Sequence, residues 1–143
     1  MHVKIYIENM QKSPKTRCGT YAYLLECQWY GEPYTVHEFV QAEGTRYQMD
    51  LSACTDALNR MKKQSEIEII GDLEWVASQS RHLHHWEENG WKNAAGKTVK
   101  NLELWKQINE KMKIHKIRFT HCKNHDFSEW MKRGMKEKYE NTE

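Results

Sequence analysis

Residues 66–76 of the chain read EIEIIGDLEWV, a short apolar run that ends in a glycine and an aspartate. The run from Ile67 to Ile70 has the length of a buried strand, and the residues after Asp72 resemble the start of a helix. Sites often form where the strands of such a sheet end. This stretch therefore predicts a sheet covered by helices, with Asp72 at one edge of the sheet.

The residues before this stretch predict three antiparallel strands and one helix. Apolar and polar side chains alternate over residues 3–8, which is typical of a half-buried strand. Segments 20–29 and 34–41 are rich in aromatic and β-branched residues and flank a Gly-Glu-Pro turn, which predicts a hairpin. Over residues 46–63 the apolar residues recur every three to four positions, which indicates a helix.

The residues after it predict further helices and one more strand. Helical patterns cover residues 72–88, 101–112 and 128–139, and an alternating pattern over 114–121 predicts a strand. The chain of 143 residues suits one domain, which we place at 1–143. The fold class is therefore α/β, with a mixed five-stranded sheet, three antiparallel strands and then two more, flanked by helices.

Composition excludes several classes of protein. With 38% hydrophobic and 11% aromatic residues, the chain is not of the disordered type. It has no apolar run near the roughly 20 residues that a membrane span needs, and its start does not resemble a signal peptide. Its four cysteines contain no C-x-x-C pair, so we expect a protein of the reducing cytoplasm that does not bind membranes.

Positive charge is concentrated in the last third of the chain. Residues 91–143 carry thirteen basic and seven acidic side chains, although the net charge of the whole chain is only +2. The surplus fits two interpretations, a polyanionic partner or an ordinary solvated surface.

Three carboxylates stand at positions where a carboxylate needs an explanation. Asp50 shares the apolar face of the predicted helix, and a buried carboxylate is costly unless it is paired or bound to a metal. Asp72 follows a strand and fits either a site or a helix cap. Glu8 ends the first strand and fits either a site or an exposed edge position. Three carboxylates together are suitable ligands for a hard cation such as Mg²⁺.

Histidines form a second group of candidates. His82, His84 and His85 lie close together, but the chain lacks the cysteine or histidine spacing that a zinc site needs. His125 lies in the predicted loop before the last helix. It fits either a solvent-exposed loop histidine or a residue that transfers protons near the carboxylates.

Two motifs resemble bacterial type I ribonuclease H. Residues 84–92, HHWEENGWK, resemble the handle region of that family, and residues 99–105, VKNLELW, resemble its V-K-N-x-D-L-W. Shorter matches extend the resemblance over nearly the whole chain: the first strand with its leading acid at Glu8, M-E-L at Met49–Leu51, T-D-S-x-Y-V at Gly71–Val76 and K-G-H at Lys123–His125.

The resemblance implies a fold and an activity. It implies a ribonuclease H-like domain and a metal-dependent endonuclease that cleaves the RNA strand of RNA/DNA hybrids by a two-metal mechanism. The cofactor would be two Mg²⁺ ions, with Mn²⁺ as a substitute. Separately, the sequence shows no clear interface or protein partner, so we expect a monomer. Asp50 would also contact the ribose 2′-OH, which distinguishes RNA from DNA.

The resemblance also assigns site residues. The metal ligands would be Glu8, Asp50, Asp72 and a fourth acid from the last helix, with His125 as a further catalytic residue. The residues that would hold the hybrid are Trp86, Trp91, Lys92, Lys100, Asn101 and Lys123.

Several positions depart from the family pattern. Glu8 replaces an aspartate, Asn9-Met10 replaces Gly-Ser, Arg46-Tyr47 replaces two asparagines, and the handle carries the acidic pair Glu87-Glu88.

The largest departure is at the fourth acid. Counting along the last helix places Lys132 there, and a protonated lysine does not ligate Mg²⁺. We hypothesise that Glu129, one turn earlier, supplies the carboxylate. The alternative for Glu129 is an ordinary acidic residue in the first turn of a helix.

The departures leave two functions open. One is the nuclease with altered site geometry, which the acids at positions 8, 50 and 72 favour. The other is a catalytically impaired module of the same fold that binds nucleic acid or a protein, which Lys132 and the acidic handle favour. Within the second, Lys132 would lie against Glu8 or Asp72 as a fixed cation. We expect the enzyme.

Overall fold

The computed structural model describes residues 1–139, with Trp29 described by its backbone alone. Within these residues, five strands form one mixed sheet in the order β3-β2-β1-β4-β5. The strands are β1 (His2–Asn9), β2 (Arg17–Trp29), β3 (Glu32–Gly44), β4 (Glu66–Gly71) and β5 (Lys116–His121). The first three strands are antiparallel, and β1, β4 and β5 are parallel. The predicted fold class is confirmed.

The helices of the described residues cover both faces of the sheet. They are α1 (Arg46–Leu58), α2 (Glu74–Ser80), α3 (Leu83–Glu88), α4 (Leu102–Ile114) and α5 (Ser128–Tyr139). The larger apolar cluster joins one face to α1 and α4, and the smaller cluster joins the other face to Met131 and Met135 of α5. None of the described helices is long and apolar enough to span a lipid bilayer.

Strand β1 differs from its prediction because it lies at the centre of the sheet. The sequence predicts one buried face, but Ile5 and Ile7 pack in the larger cluster while Tyr6 packs in the smaller one. Glu8, at the end of the same strand, is also buried. The alternation of apolar and polar residues therefore marks two different buried faces.

Two helix boundaries also differ from the prediction. Helix α1 ends at Leu58 instead of residue 63, because Arg60 N and Met61 N donate to carbonyls only three residues earlier, which tightens the chain into a turn. The predicted helix over 72–88 divides into α2 and α3. At that point Arg81 N and His82 N likewise form bonds to residues three positions earlier.

Helix α5 lies unusually close to the sheet at one point. A Cβ atom built on Gly134 would overlap the ring of Phe39 in β3. At the end of the same helix, the Tyr139 hydroxyl donates to the Phe39 carbonyl at 2.9 Å. The glycine therefore sets how closely α5 approaches the sheet.

The topology brings one edge of the sheet to the surface as a site. Strands β1 and β4 are parallel and pair Tyr6 with Ile70, so Glu8 and Asp72, two residues further along each strand, lie at the same level. The side chain of Asn9 donates to the Arg46 carbonyl, which places the start of α1 at this edge. We call this edge, with Glu8, Asp50 and Asp72, the acid edge.

Candidate active site

Asp72 is the exposed member of the acid edge. Its side chain is 39% exposed, and its Oδ1 lies 3.7 Å from Nδ1 of His121 at the end of β5. Within residues 1–139, no side chain caps the start of α2, whose N-cap residue is Leu73. Asp72 therefore does not serve as the helix cap that its sequence position also allows, and its carboxylate faces solvent.

Asp50 is a buried acid in α1, as its sequence position predicts, with 8% of its surface exposed. Its Oδ1 accepts a hydrogen bond of 3.0 Å from the Asn9 side chain. Burial raises the pKa of the Asp50 carboxyl to about 6, and the negative charge of Asp72 adds to this rise. The hydrogen bond from Asn9 and the cations Lys12 and Arg46 act in the opposite direction.

Glu8 is the residue before the last in β1 and points to the opposite face of the sheet from Asn9, towards α5. It is 6% exposed, which excludes the alternative of an exposed edge position. Its Oε1 accepts a short hydrogen bond of 2.6 Å from Ser128 Oγ, and His125 Nε2 lies 3.6 Å from the same oxygen. The carboxylate is therefore held from α5 and from the loop before it.

The side chain of His125 is only 2% exposed, which excludes the solvent-exposed alternative. Its Nδ1 accepts from the Phe127 backbone N–H at 3.2 Å, so the ring proton lies on Nε2, which donates to the Ile7 carbonyl at 3.1 Å. The ring also lies 5.0 Å from that of Tyr6. These contacts fix the imidazole beside Glu8 in a single tautomer.

Two residues of the site, Asn9 and Ser128, were not assigned roles from the sequence. The sequence marks Asn9 only as a replacement for the family's glycine, and it marks Ser128 only as the first residue of a predicted helix. A small polar residue at a helix start usually indicates a cap, whereas here the hydroxyl of Ser128 donates to a carboxylate from another element. Sequence periodicity carries no signal for a contact between residues 120 positions apart.

The fourth acid is not in contact with the other three. Glu129 is exposed and Lys132 is half-buried. Among the described residues, neither forms a hydrogen bond or an ion pair with Glu8, Asp50 or Asp72. The hypothesis that Glu129 supplies a ligand stays a prediction, and α5 contacts the acid edge through Ser128.

The donor chemistry of the acid edge fits a divalent cation. In the described chain, no three His, Cys, Asp or Glu side chains form a ready metal cluster, and this holds also for the histidines at 82, 84 and 85. Asp50 and Asp72 nevertheless repel one another through their charges, and Asp50 is buried. A cation bound to one carboxylate oxygen from each residue would offset the repulsion between the two charges and the cost of burying Asp50. Mg²⁺ prefers such oxygen ligands.

A groove of about 730 Å³ runs beside the acid edge. It lies between the start of α1, α2 and the segment that leads into α4, and its lining includes Thr45, Tyr47, Trp75, Lys100 and Asn101. Asn101 has a left-handed backbone (φ 59°) and accepts a hydrogen bond from Gln48 Nε2 at 3.2 Å. The groove therefore combines aromatic rings with a cation and amide groups.

The residues predicted to hold a hybrid divide into two sets. Lys92, Lys100 and Lys123 are exposed. Trp86 lines the groove but is only 8% exposed, because its ring packs against that of Trp105. Trp91 is half-buried, with Lys106 Nζ 6.0 Å from its ring centre. The cations are available to a ligand, whereas Trp86 belongs mainly to the core.

Comparison with known proteins gives a consistent family. A family model described as RNase H matches residues 6–135. Ribonuclease H of Clostridium botulinum (strain Hall) is 33% identical over 117 residues, which are 80% of this chain and 76% of that protein. Ribonuclease H of Bradyrhizobium sp. (strain ORS 278) is 36% identical over 96 residues, which are 66% of this chain and 56% of that protein.

Solved structures support the same fold. The crystal structure of LC9-RNase H1, described as a type 1 RNase H with the type 2 active-site motif, is similar with a TM-score of 0.69 and 18% identity, over 92% of this chain and 69% of that one. The solution structure of the PFV RNase H domain is similar with a TM-score of 0.65 and 19% identity, over 96% and 89%.

Proposed function

This chain belongs to the RNase H family, and from that membership we propose that it is an endonuclease that hydrolyses the RNA strand of RNA/DNA hybrids. The observation that carries the proposal is the acid edge: Glu8 lies near the end of β1, Asp72 directly follows the neighbouring parallel strand β4, and the buried Asp50 is joined to β1 by the Asn9 side chain. A groove lined by aromatic rings, amide groups and Lys100 opens nearby.

We propose two Mg²⁺ ions as the cofactor, with Mn²⁺ as a substitute. The residues that would hold them are Glu8, Asp50, Asp72 and Glu129. When bound, the ions would supply an activated water and a Lewis acid for the leaving oxygen. We further propose that the protein acts as a monomer in the cytoplasm.

The chain's own residues would orient the substrate and move a proton. Asp50 would contact the ribose 2′-OH, which a DNA strand lacks. His125 Nε2 lies 3.6 Å from Glu8 Oε1, and the residue would assist proton transfer or product release beside that carboxylate. Lys92, Lys100 and Lys123 would hold backbone phosphates of the hybrid, while the groove residue Asn101 donates to them.

A cleavage assay tests the proposal. Purified parent protein and the Asp72→Asn variant are incubated with a labelled RNA/DNA hybrid and Mg²⁺ or Mn²⁺, with RNA and DNA duplexes as substrate controls. Because Asp72 is exposed, the variant keeps the fold while it loses a charged ligand. We expect the parent to cut only the RNA of the hybrid and the variant to be slower by about 100-fold or more.

The alternative proposal is a catalytically impaired module that binds nucleic acid or a protein. The observation that favours it is that, within residues 1–139, Glu129 forms no hydrogen bond or ion pair with Glu8, Asp50 or Asp72. A parent that binds the hybrid in the same assay without cutting it supports this alternative. Glu129→Gln tests the fourth ligand: an unchanged cleavage rate with metal bound excludes that role for Glu129.

A further inference from the structure

The side chain of Asn9 connects the first strand to the acid on α1. It is 5% exposed, and its Nδ2 donates to Asp50 Oδ1 and to the Arg46 carbonyl, both at 3.0 Å. Its Oδ1 accepts from the Gln11 backbone N–H at 2.9 Å. Both amide protons and the carbonyl oxygen are therefore engaged, so the orientation of the amide is fixed.

This contact joins two departures from the family pattern. The family has glycine at the position of Asn9 and glutamate at the position of Asp50. Here the first side chain is longer and the second is shorter by one methylene, roughly 1.5 Å of reach. The Asn9 amide is in hydrogen-bond contact with the Asp50 carboxylate, so a longer acid at position 50 would have to rotate or shift away from this contact.

We propose that Asn9 is a positioning residue that aims the Asp50 carboxylate at a divalent cation, and that Asn9 with Asp50 functionally replaces the family's glycine and glutamate. This inference rests on the proposed function. The hydrogen bond engages Oδ1, and among the described residues no donor contacts Oδ2. The second oxygen is therefore left for the cation.

Four proteins test the inference: the parent, Asn9→Gly, Asp50→Glu and the double variant. Mn²⁺ binding is measured by titration calorimetry and hybrid cleavage in parallel. Because a residue that orients a metal ligand is typically worth 10–100-fold in affinity, we expect each single variant to bind Mn²⁺ about ten-fold more weakly. The double variant should return to within about three-fold of the parent, since it restores the family pairing.

A matched control separates positioning from loss of stability. Asn109 is another buried amide, 7% exposed, that donates to a carboxylate, Glu87 Oε2, at 2.8 Å, but outside the acid edge. Asn109→Ala should lower the melting temperature without changing Mn²⁺ affinity. If glycine at position 9 unfolds the strand end, Asn9→Ala gives the same measurement with the Cβ retained.

The outcomes separate this inference from the proposed function. A parent that binds Mn²⁺ and cleaves the hybrid, with Asn9→Gly and Asn9→Ala unchanged in affinity, overturns the role of Asn9 alone. If both single variants bind Mn²⁺ more weakly and the double variant is weaker by the product of the two effects, then Asn9 with Asp50 does not replace the family's glycine and glutamate as a pair. A parent that binds no Mn²⁺ overturns the proposed function and this inference with it.

Discussion

We call residues 84–105, which span both of the longer family motifs, the handle segment. This segment and the acid edge resemble the family in opposite ways. The handle keeps the family's motifs, yet Trp86 and Trp105 within them are only 8% and 1% exposed. The acid edge departs from the family at most positions, yet Glu8 and Asp50 each keep a hydrogen-bond donor. In this chain the recognisable motif mainly reflects packing, whereas the altered residues carry the proposed chemistry.

The difference follows from what each region requires. A buried aromatic ring contacts many neighbours at once, so its size and shape are strongly restricted. A carboxylate that binds a metal needs a suitable position and a hydrogen-bond donor to orient it. Several combinations of side chains provide both. The comparison predicts that handle substitutions act on stability and that acid-edge substitutions act on metal binding or on the response to pH.

The largest expected effect tests the handle. Trp105→Ala should lower the free energy of unfolding by about 3–5 kcal/mol, because it removes a large ring packed against Trp75 and Trp86. Trp130→Ala is the matched control, since its ring is 40% exposed, and its loss should be near 1 kcal/mol. Urea unfolding measures the free energy of unfolding of both variants. Equal losses would contradict the conclusion that the handle tryptophans act mainly through packing.

A smaller effect, with a definite dependence on pH, tests the acid edge. The pKa of Asp50 is raised to about 6 from 3.8, so the folded chain binds this proton more tightly than the unfolded chain. The protonated, neutral Asp50 carboxyl stabilises the folded chain. This contribution is fully present below pH 3.8 and is lost as pH rises through 6. Above pH 6, in the absence of metal, the ionised carboxylate costs about 3 kcal/mol at most.

Asp50→Asn removes this cost. In chelator, the variant should be more stable than the parent at pH 7.5, and the gain should shrink towards pH 4.5, as measured by urea unfolding at both values. Asp72→Asn serves as the control, because that side chain is exposed, and it should change stability little at either pH. A parent and an Asp50→Asn variant of equal stability at pH 7.5 would contradict the effect of burial.

The smallest expected effect concerns the exposed cations of the handle. Lys100→Ala should weaken hybrid binding a few-fold and reduce the slope of log Kd against log salt by about 1, because one phosphate contact is lost. Fluorescence anisotropy in chelator measures binding without cleavage. Lys62→Ala is the control, since this exposed lysine precedes β4, whereas Asp72 follows the other end of that strand. Identical salt slopes would place the hybrid elsewhere.

The sequence predicts the fold well because its signals are periodic. The alternating residues of 3–8 and the apolar run before Asp72 indicate strands whatever their neighbours are. The end of α1 and the break between α2 and α3 are missed because both depend on local turns within segments that remain compatible with a helix. The alternation of apolar and polar residues also does not reveal that both faces of β1 are buried.

The site is predicted less completely. The burial of Asp50 follows from its place on the apolar face of a helix, so its environment is predictable. The contacts of Ser128 with Glu8 and of Asn9 with Asp50 join distant parts of the chain, and neither residue type marks them. The sequence identifies the acids, but it does not identify the groups that orient them.

The glycine at position 134 extends the site beyond the residues that form it. Helix α5 lies on Phe39 at that glycine and presents Ser128 to Glu8 at its first residue. A helix is stiff over this length, so a bulkier residue at 134 would tilt it as a lever and move the serine away from the carboxylate. Random mutagenesis screened for activity would therefore recover position 134 among inactivating changes, although it lies six residues beyond Ser128 along α5.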